Sequence, residues 1–283
     1  MTNINPAAAH AHIQPRLSFQ PRVGLILGSG WGEIARKVDH AIRLPFSEIP
    51  GFHAARAPGH EGQLIVGFLE QIPVLVMSGR FHRYEGFTIQ ETTFPIHVMK
   101  QFGISEIIIT NAAGAINPKL TTGDVVVVND HINWLGQVPR YSTHTGEESQ
   151  MTEMIGRTPD IYSAQFSNRI LRTARANDIS AQVGTYLATL GPTYETRSEY
   201  RMMRILGADV VGMSSIPEAM IAKNLGIEPV VLSLVTNVAK PDHKVIISHE
   251  EVLEIGRQTA SNAEILIRGF LHSLAVESKN ECH

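Results

Sequence analysis

The chain has 283 residues, of which 43% are hydrophobic and 18% charged, and its formal net charge is −3. This composition is typical of a globular protein with a sizeable core, and the charge excludes a nucleic-acid or membrane partner held by bulk electrostatics. The one cysteine, Cys282, excludes a disulfide framework within the chain and fits a reducing compartment. Since no apolar run reaches the ~18 residues that span a bilayer and no signal peptide is recognisable, we expect a cytoplasmic protein.

The composition predicts one domain at residues 21–276, flanked by a partly ordered arm at residues 1–20 and a polar tail at residues 277–283. The arm is rich in Ala, His, Pro and Gln and shows no periodicity. It contains His10 and His12, which could bind a metal, but no third ligand is evident. We therefore interpret both histidines as solvated and predict no metal site.

The first strand is predicted at residues 22–27, followed by a turn at Gly28-Ser29-Gly30 and a helical pattern at residues 31–38. Backbone N–H groups at such a turn can hold an anion, and glycine lets the backbone approach a ligand closely. Ser29 is therefore a candidate anion contact. The alternative is that the turn is only a tight connection.

A hairpin is predicted from strands at residues 63–69 and 72–77, and a polar turn containing Arg80, His82 and Tyr84 follows it. The guanidinium of Arg80 offers a rigid set of donors that suits phosphate or carboxylate. His82 is two residues further along, so on an extended segment it faces the same side. The alternative is a surface cluster of salt bridges.

Strands and helices alternate along the rest of the chain: a helix at 88–102, strands at 105–110 and 123–128, a helix at 161–176, a strand at 182–189, a helix at 197–206, a strand at 209–213, a helix at 217–224 and a strand at 229–235. This alternation predicts a single-domain α/β fold with a central, mixed, mainly parallel sheet flanked by helices. After the strand at 105–110, the small residues 111–115 allow backbone donors such as the N–H of Ala112 to reach a ligand. Residues 137–157 are polar and aperiodic, which predicts a long loop that acts as a lid or interface or is disordered.

Three polar side chains follow predicted strands in the second half of the chain: Glu195, Ser214 and Asn237. Ligands of α/β proteins bind at the carboxyl ends of strands, so these residues are candidates for one shared pocket. Ser214 has the alternative role of N-cap to the helix at residues 217–224. His249 stands in the first turn of a long last helix predicted at residues 248–276, beside any loop that folds over the pocket.

Three common catalytic patterns are missing from the sequence: a Walker loop, a His-Glu-x-x-His metal motif and a Gly-x-Ser-x-Gly nucleophile elbow. The chemistry must therefore proceed without an evident metal, cofactor or nucleophilic side chain. This favours a reaction in which a bound oxyanion is the nucleophile.

The chain resembles the trimeric purine nucleoside phosphorylases from about Arg22 to about Leu274. The resemblance rests on eight motifs that occur in the family's order: Gly28-Ser29-Gly30, Pro58-Gly59-His60, Gly79-Arg80-Phe81-His82-x-Tyr84-Glu85-Gly86, Asn111-Ala112-Ala113-Gly114, Asp130-His131-Ile132-Asn133, Gly191-Pro192-x-x-Glu195-Thr196, Val211-Gly212-Met213-Ser214 and Thr236-Asn237. It implies reversible cleavage of purine (deoxy)ribonucleosides by phosphate, giving the base and (deoxy)ribose 1-phosphate in purine salvage. It also implies a twisted, partly barrel-like sheet, a homotrimer, and phosphate as co-substrate without a cofactor.

The resemblance also implies roles for individual residues. By this resemblance the family's phosphate site corresponds to Ser29, Arg80, His82, Ala112 (through its N–H) and Ser214. Its ribose site corresponds to Tyr84, Met213 and His249, and its base site corresponds to Tyr194, Glu195 and Asn237. Asn237, Glu195 and His82 are the catalytic candidates. The family's sugar-covering residue from a neighbouring subunit corresponds to a position near Ile155, with Met151 and Met154 as alternatives.

The chemistry of the purine agrees with this assignment. Negative charge builds on the purine as the glycosidic bond breaks, and Asn237 can share a hydrogen bond with N7 while its amide donates to O6. An ionised Glu195 can accept from N1–H. Adenine reverses the donor and acceptor at these positions, so Asn237 favours inosine and guanosine, whereas Asp there suits adenine, as in the methylthioadenosine phosphorylases. Acceptance of xanthosine stays open.

Other functions remain as alternatives. In a dinucleotide-binding oxidoreductase the glycine turn would continue to a third glycine, but Glu33 occupies that position. A non-catalytic nucleoside-binding protein would keep the base contacts without needing Arg80, His82 and Ser214 together. A methylthioadenosine-type phosphorylase would act on a nucleoside with a different base, adenine. A hydrolase would use water in place of phosphate.

Overall fold

The computed structural model describes residues 5–54, 61–136, 160–239 and 249–280, and of residues 249–253 and 277–280 it describes only the backbone. A nine-stranded sheet runs through this part of the chain. The strands are β1 (Val23–Leu27), β2 (Asp39–Pro45), β3 (Gln63–Leu69), β4 (Ile72–Ser78), β5 (Glu106–Ala115), β6 (Val125–Asn133), β7 (Ala181–Ala188), β8 (Val210–Gly212) and β9 (Glu228–Val238). The α-helices are α1 (Pro6–Ile13), α2 (Ile89–Gln101), α3 (Ala164–Ala176), α4 (Arg197–Ile205), α5 (Ile216–Asn224), α6 (His249–Gln258) and α7 (Ala260–Asn280).

The strand order is β2-β3-β4-β1-β5-β8-β7-β6-β9, and β5 also pairs with β9. This extra pairing closes β5, β8, β7, β6 and β9 into a ring, while β2, β3, β4 and β1 extend from it as an open sheet. Among the described strands, the pairs β1–β4, β1–β5, β5–β9, β6–β7 and β7–β8 are parallel and four are antiparallel. The mixed, mainly parallel, partly barrel-like α/β fold is therefore confirmed.

Helices cover both faces of the sheet. On one face α2 contacts α1 and α5 over a cluster that includes Phe94 and Ile109, and on the other α3 contacts α7, with the rings of Phe166 and Phe270 5.2 Å apart. Every residue of β1 is buried. A strand buried on both faces reads as a continuous apolar run, which is how residues 22–27 appear in the sequence.

The N-terminal segment is more ordered than its composition predicts. Residues 6–13 form α1, with Ala9 and Ile13 fully buried and the ring of His10 4.4 Å from that of Phe102. The side chain of Asn5 caps the helix by accepting from two backbone N–H groups. Two buried residues four apart give too short a pattern to distinguish a packed helix from an arm by sequence.

The predicted hairpin is present as β3 and β4, joined by Glu70 and Gln71 with φ of 51° and 63°. Positive φ at both central residues is the geometry of a type I′ turn. β2, which the pattern does not predict, pairs with β3 at the edge of the sheet. It is largely exposed and therefore shows no apolar run.

Two strands run beyond their predicted ends. Residues 111–115 continue β5, because β9 pairs with it in parallel from Glu106 to Ala115, and β6 runs through Asn133. The β5–β9 register shifts between Ala113 and Gly114, leaving Thr236 as an extra residue in β9. Such a bulge redirects the following side chain, which here is Asn237.

The last helix differs from its prediction. The chain forms two helices, α6 and α7, that meet at Thr259, whose hydroxyl donates to the carbonyl of Ile255 at 2.8 Å. Bonding of this kind back to the preceding turn often bends helices. The predicted capping serine, Ser248, lies outside the described residues. None of the helices in the described ranges is both long and apolar enough to cross a bilayer.

Candidate active site

A cavity of about 280 Å³ opens where β1, β4, β5 and β9 end and the segments after β7 and β8 begin. Ten of the eleven predicted site residues line it: Ser29, Arg80, His82, Tyr84, Ala112, Tyr194, Glu195, Met213, Ser214 and Asn237. The eleventh, His249, is the first residue of α6, and its side chain is not among those described. Six separate turns and strands thus contribute to a single pocket.

Ser29 lies on the glycine turn after β1, which is pressed against β5. A Cβ on Gly28 would lie 2.6 Å from the carbonyl oxygen of Thr110, and the Gly28 N–H donates to the Thr110 hydroxyl at 3.1 Å. Gly30 has φ of +87° and packs against Gly256 of α6. Both glycines are therefore required by close packing, in addition to any contact with a ligand.

Arg80 is 1% exposed and forms the buried floor of one end of the cavity. Its Nη1 donates to the hydroxyls of Ser214 at 2.8 Å and Ser215 at 2.9 Å, and its Nε lies 3.4 Å from Oε1 of Glu218. The alternative of a surface salt-bridge cluster is therefore wrong for Arg80. A buried guanidinium with hydroxyl and carboxylate partners is well placed to bind an anion.

The N-cap interpretation of Ser214 is also wrong. α5 begins at Ile216, and its N-cap is Ser215, which has φ of 69° and makes no side-chain capping bond. The hydroxyl of Ser215 instead accepts from Arg80 and, at 2.8 Å, from Nδ2 of Asn111. Ser214 is thereby left at the cavity wall.

Sequence reasoning missed Ser215, Asn111 and Glu218, which support Arg80. Glu218 is 4% exposed, and burial raises the pKa of its carboxyl while the charges of Arg80 and His82 oppose that rise. The carboxyl of Glu218 accepts from the backbone N–H of Ser215, the N-cap three residues earlier. Glu218 therefore has the position and the contact of the glutamate in a capping box. This spacing, together with the need of a buried arginine for an acidic partner, is the signal that could have found it.

His82 and Tyr84 form the adjoining wall. Nδ1 of His82 lies 2.7 Å from Oε1 of Glu85, and since a carboxylate only accepts, Nδ1 carries the proton. The rings of His82 and Tyr84 stack with centroids 4.7 Å apart. Burial, followed by the Glu85 charge, raises the pKa of Tyr84 to about 12. The Tyr84 hydroxyl is therefore neutral and can donate at physiological pH.

Asn237 lies at the other end of the cavity and is 8% exposed. Its Oδ1 accepts from the hydroxyl of Thr236 at 3.3 Å, and its Nδ2 has no hydrogen-bond partner within the described part of the chain. A Cβ on Gly114 would lie 3.0 Å from that Nδ2. Glycine at 114 therefore leaves room for a carboxamide whose donor is directed at a ligand.

Glu195 faces the same end of the cavity. Its Oε1 accepts from the hydroxyl of Thr189 at 3.1 Å, and Tyr200 of α4 also lines the cavity. Burial, the Glu195 charge and a hydrogen bond with Glu195 raise the pKa of Tyr200. Tyr194 is 45% exposed, at the mouth. Thr189 and Tyr200 were not identified from the sequence, because neither belongs to a recognisable motif.

In the wall formed by the segments after β7 and β8, two glycines allow close packing of neighbouring side chains. A Cβ on Gly191 would lie 2.3 Å from Sδ of Met213, and one on Gly212 would lie 2.1 Å from the hydroxyl of Tyr186. That hydroxyl also accepts from the Ser214 N–H at 3.4 Å. The packing holds Met213 and Ser214 against the cavity.

The two ends of the cavity have different chemistry. One end presents guanidinium, imidazole and hydroxyl donors to an anion, and the other presents an amide donor and a carboxylate acceptor to a planar polar ligand. The space between is lined by Tyr84 and Met213. The fold and this arrangement define an enzyme that brings an oxyanion to a nucleoside-like ligand.

Comparison with known proteins agrees with this class. The model of the family described as "Phosphorylase superfamily" matches residues 22–272. Purine nucleoside phosphorylase 1 of Geobacillus stearothermophilus is 38% identical over 267 residues, covering 93% of this chain and 95% of the relative. The chain therefore belongs to the phosphorylase superfamily, among its purine nucleoside phosphorylases.

Two solved structures are similar in fold as well as sequence. A Schistosoma purine nucleoside phosphorylase in complex with hypoxanthine has a TM-score of 0.82 and 34% identity, with coverage of 95% of this chain and 97% of that one. Isoform 2 from Schistosoma mansoni, in complex with cytosine and ribose-1-phosphate, has a TM-score of 0.84 and 33% identity, with coverage of 95% and 96%.

Proposed function

We propose that the protein catalyses the reversible phosphorolysis of 6-oxopurine nucleosides, inosine and guanosine, giving the free base and (deoxy)ribose 1-phosphate. The observation that carries this proposal is the pair Asn237 and Glu195 across the cavity from Arg80 and Ser214. An amide donor and a carboxylate acceptor match O6 and N1–H of a 6-oxopurine. The hypoxanthine and ribose-1-phosphate bound by the two Schistosoma relatives support the same substrates and products.

At the anion end, phosphate is bound by Ser29, Arg80, His82, the N–H of Ala112 and Ser214. Arg80 is already oriented by its contacts with Ser214 and Ser215, so little rearrangement is needed when phosphate arrives. An oxygen of the bound phosphate attacks C1′ of the sugar. Positive charge that develops on the sugar is stabilised by the phosphate before the new C–O bond completes.

Between the two ends, the ribose is bound by Tyr84, Met213 and His249. Tyr84 supplies a neutral hydroxyl that can donate to a sugar oxygen, and its pKa, raised to about 12, keeps it protonated well above neutral pH. Met213 packs against the apolar side of the sugar. His249 is the first residue of α6, the helix whose Gly256 packs against Gly30 in the turn that carries Ser29.

At the base end, Asn237 stabilises the leaving purine. As the bond to C1′ breaks, its electron pair stays with the purine ring. N7 takes up a proton from solvent water and then donates to Oδ1 of Asn237, while O6 accepts from Nδ2 of Asn237. Glu195 holds N1–H, and Tyr194 lies along the base at the mouth. Donors placed where charge develops are typically worth ~3–4 kcal/mol each in the transition state.

We also propose that the protein is a cytoplasmic homotrimer that needs no cofactor. Large apolar side chains remain exposed after β6 and β7, notably Trp134 (47%), Leu190 (48%) and, at the cavity mouth, Tyr194 (45%), and they support burial against another copy of the chain. The sugar-covering residue expected near Ile155 lies outside the described residues. Sedimentation at several concentrations tests the trimer, and a single monomer mass throughout would contradict it.

Turnover of inosine, guanosine, xanthosine and adenosine, each with and without phosphate, tests the reaction. We expect cleavage of inosine and guanosine only with phosphate, slow cleavage of adenosine, and unchanged rates after treatment with a chelator. Equal rates without phosphate would identify a hydrolase, and a preference for adenosine would contradict the assignment of Asn237. The xanthosine rate decides whether a 2-oxo group is tolerated.

A further inference from the structure

The carboxylate of Glu195 is held by two hydroxyl groups that no motif predicts. Thr189, just after β7, donates to Oε1 at 3.1 Å. Tyr200 lines the same cavity from α4, one turn beyond Glu195 in sequence. The Tyr200 side chain also hydrogen-bonds Glu195, whereas Thr189 bonds the carboxylate without lining the cavity.

This arrangement matters because Glu195 lies on an irregular segment between β7 and α4, where a side chain has several accessible rotamers. A carboxylate has about four lone-pair positions, so donors on one side leave others for a ligand. A site held by a second layer of hydrogen bonds keeps its geometry in the productive orientation. Two neutral hydroxyl groups can perform that function without neutralising the charge.

We propose that Thr189 and Tyr200 are positioning residues that orient Glu195 to accept N1–H of the 6-oxopurine. The inference rests on the proposed function and deepens it, because it assigns part of the base specificity to residues behind the base site. Neither residue donates to the substrate itself. Their effect on the reaction therefore depends on Glu195 being present.

A purely structural role is the competing explanation. The ring of Tyr200 packs against the small apolar cluster that contains Leu187, Met203 and Ala208. The Thr189 hydroxyl is also 3.5 Å from the carbonyl of Gly212, at the limit of a hydrogen bond. Tyr200→Phe and Thr189→Val keep the packing and remove only the hydroxyl groups, so they separate the two explanations.

The test is a set of double-mutant cycles. Tyr200→Phe and Thr189→Val are made in the wild type and in a Glu195→Ala background, and kcat and KM for inosine and for phosphate are measured in each. We expect each single variant to lower kcat/KM for inosine roughly tenfold, as for hydrogen bonds to a charged group, with the phosphate KM unchanged. In the Glu195→Ala background the same substitutions should have no further effect.

Two controls accompany the cycles. Thr189→Ser retains the hydroxyl and should restore wild-type kinetics. Tyr162→Phe removes a phenol that is more deeply buried than Tyr200 and lies away from the cavity, where its hydroxyl bonds Nδ1 of His131 at 3.0 Å, and this change should leave the kinetics unchanged. The proposal is overturned if the single variants stay within twofold of wild type, or if their losses persist without Glu195.

Calorimetric binding of hypoxanthine separates this inference from the proposed function. Weaker hypoxanthine binding by Tyr200→Phe and Thr189→Val supports the positioning role even in a protein that fails to cleave inosine, in which case only the proposed reaction fails. Undiminished binding by both variants, in a protein that cleaves inosine with phosphate, contradicts the positioning role alone.

Discussion

We propose that Asn237 selects the base through its single carboxamide. Its Nδ2 lies buried beside Gly114, without a hydrogen-bond partner among the described residues, and its Oδ1 accepts from Thr236. A buried donor left unsatisfied costs about 1–3 kcal/mol, so the free protein holds this group ready for a ligand acceptor. A carboxylate at the same position would instead accept from an exocyclic amino group.

We expect Asn237→Asp to shift the preference from inosine toward adenosine. The ratio of kcat/KM for the two nucleosides should change by about 10²-fold or more, because the mismatched base leaves buried polar groups unpaired. Steady-state kinetics with both substrates measures the ratio. An unchanged ratio would show that another residue selects the group at position 6 of the purine. The KM for phosphate should stay the same in this variant.

Ser215 links Arg80 to Asn111 in the floor of the anion site. Ser215→Ala removes the acceptor for both donors, so we expect a loss of roughly 2–3 kcal/mol in the free energy of unfolding and a several-fold higher KM for phosphate. Denaturant unfolding and phosphate kinetics measure the two effects. Ser233→Ala is the matched control, because the buried hydroxyl of Ser233 has no hydrogen-bond partner in the described ranges and its loss should be nearly neutral.

At the scale of elements, the contact between α6 and the glycine turn joins the last part of the chain to the first. A Cβ on Gly256 would lie 2.2 Å from Cα of Gly30, which is backbone and cannot give way like a flexible side chain. The position of Ser29 therefore depends on how closely α6 approaches. This dependence connects the helix that begins at His249 with the anion end of the cavity.

We expect Gly256→Ala to raise the KM for phosphate and to lower the free energy of unfolding by about 1–3 kcal/mol, as overpacking does. Gly32→Ala is the control on the same turn, since a Cβ there meets nothing within 4 Å. Phosphate kinetics and thermal unfolding of both variants measure the difference. If Gly256→Ala and Gly32→Ala had the same phosphate KM and the same thermal stability, α6 would accommodate the added methyl group without displacing Ser29.

The helix and strand assignments show where local patterns are sufficient. The hairpin of β3 and β4 and the helix α2 were predicted from neighbouring residues alone. The continuation of β5 through Ala115 does not, because pairing with β9 provides the hydrogen bonds for a segment of small residues. Edge strand β2 was missed for a related reason: an exposed strand carries little hydrophobic signal.

At the scale of the whole molecule, buried Tyr186 contributes to how stability responds to alkali. Burial raises the pKa of Tyr186 from 10.0 to about 12, so between these values the folded protein binds a proton that the unfolded chain has lost. The contribution is fully present below pH 10.0 and is lost as the pH rises toward 12. A shift of two pKa units corresponds to roughly 2–3 kcal/mol.

We therefore expect the free energy of unfolding to fall between pH 10 and pH 12, and to fall less steeply in Tyr186→Phe. Denaturant unfolding at several pH values measures both slopes. Tyr194→Phe, which changes a tyrosine that is 45% exposed, should keep the wild-type slope. Identical slopes for Tyr186→Phe and wild type would show that the Tyr186 hydroxyl does not titrate with unfolding.

The sequence by itself determined the α/β class and most strands and helices, which depend on periodicity, and it placed candidates such as Ser29, Arg80 and Asn237 at turns that follow strands. Other residues of the cavity, such as Tyr194 and Met213, were implied by the resemblance to the purine nucleoside phosphorylases. The tertiary structure alone decided the ring closed by β5 and β9, the bulge that directs Asn237, and the supporting residues Ser215, Glu218, Thr189 and Tyr200. Contacts such as that of Arg80 with Ser215 join residues 135 positions apart. No local pattern encodes such a pair, because burial and hydrogen bonding at that distance arise only when the sheet has assembled.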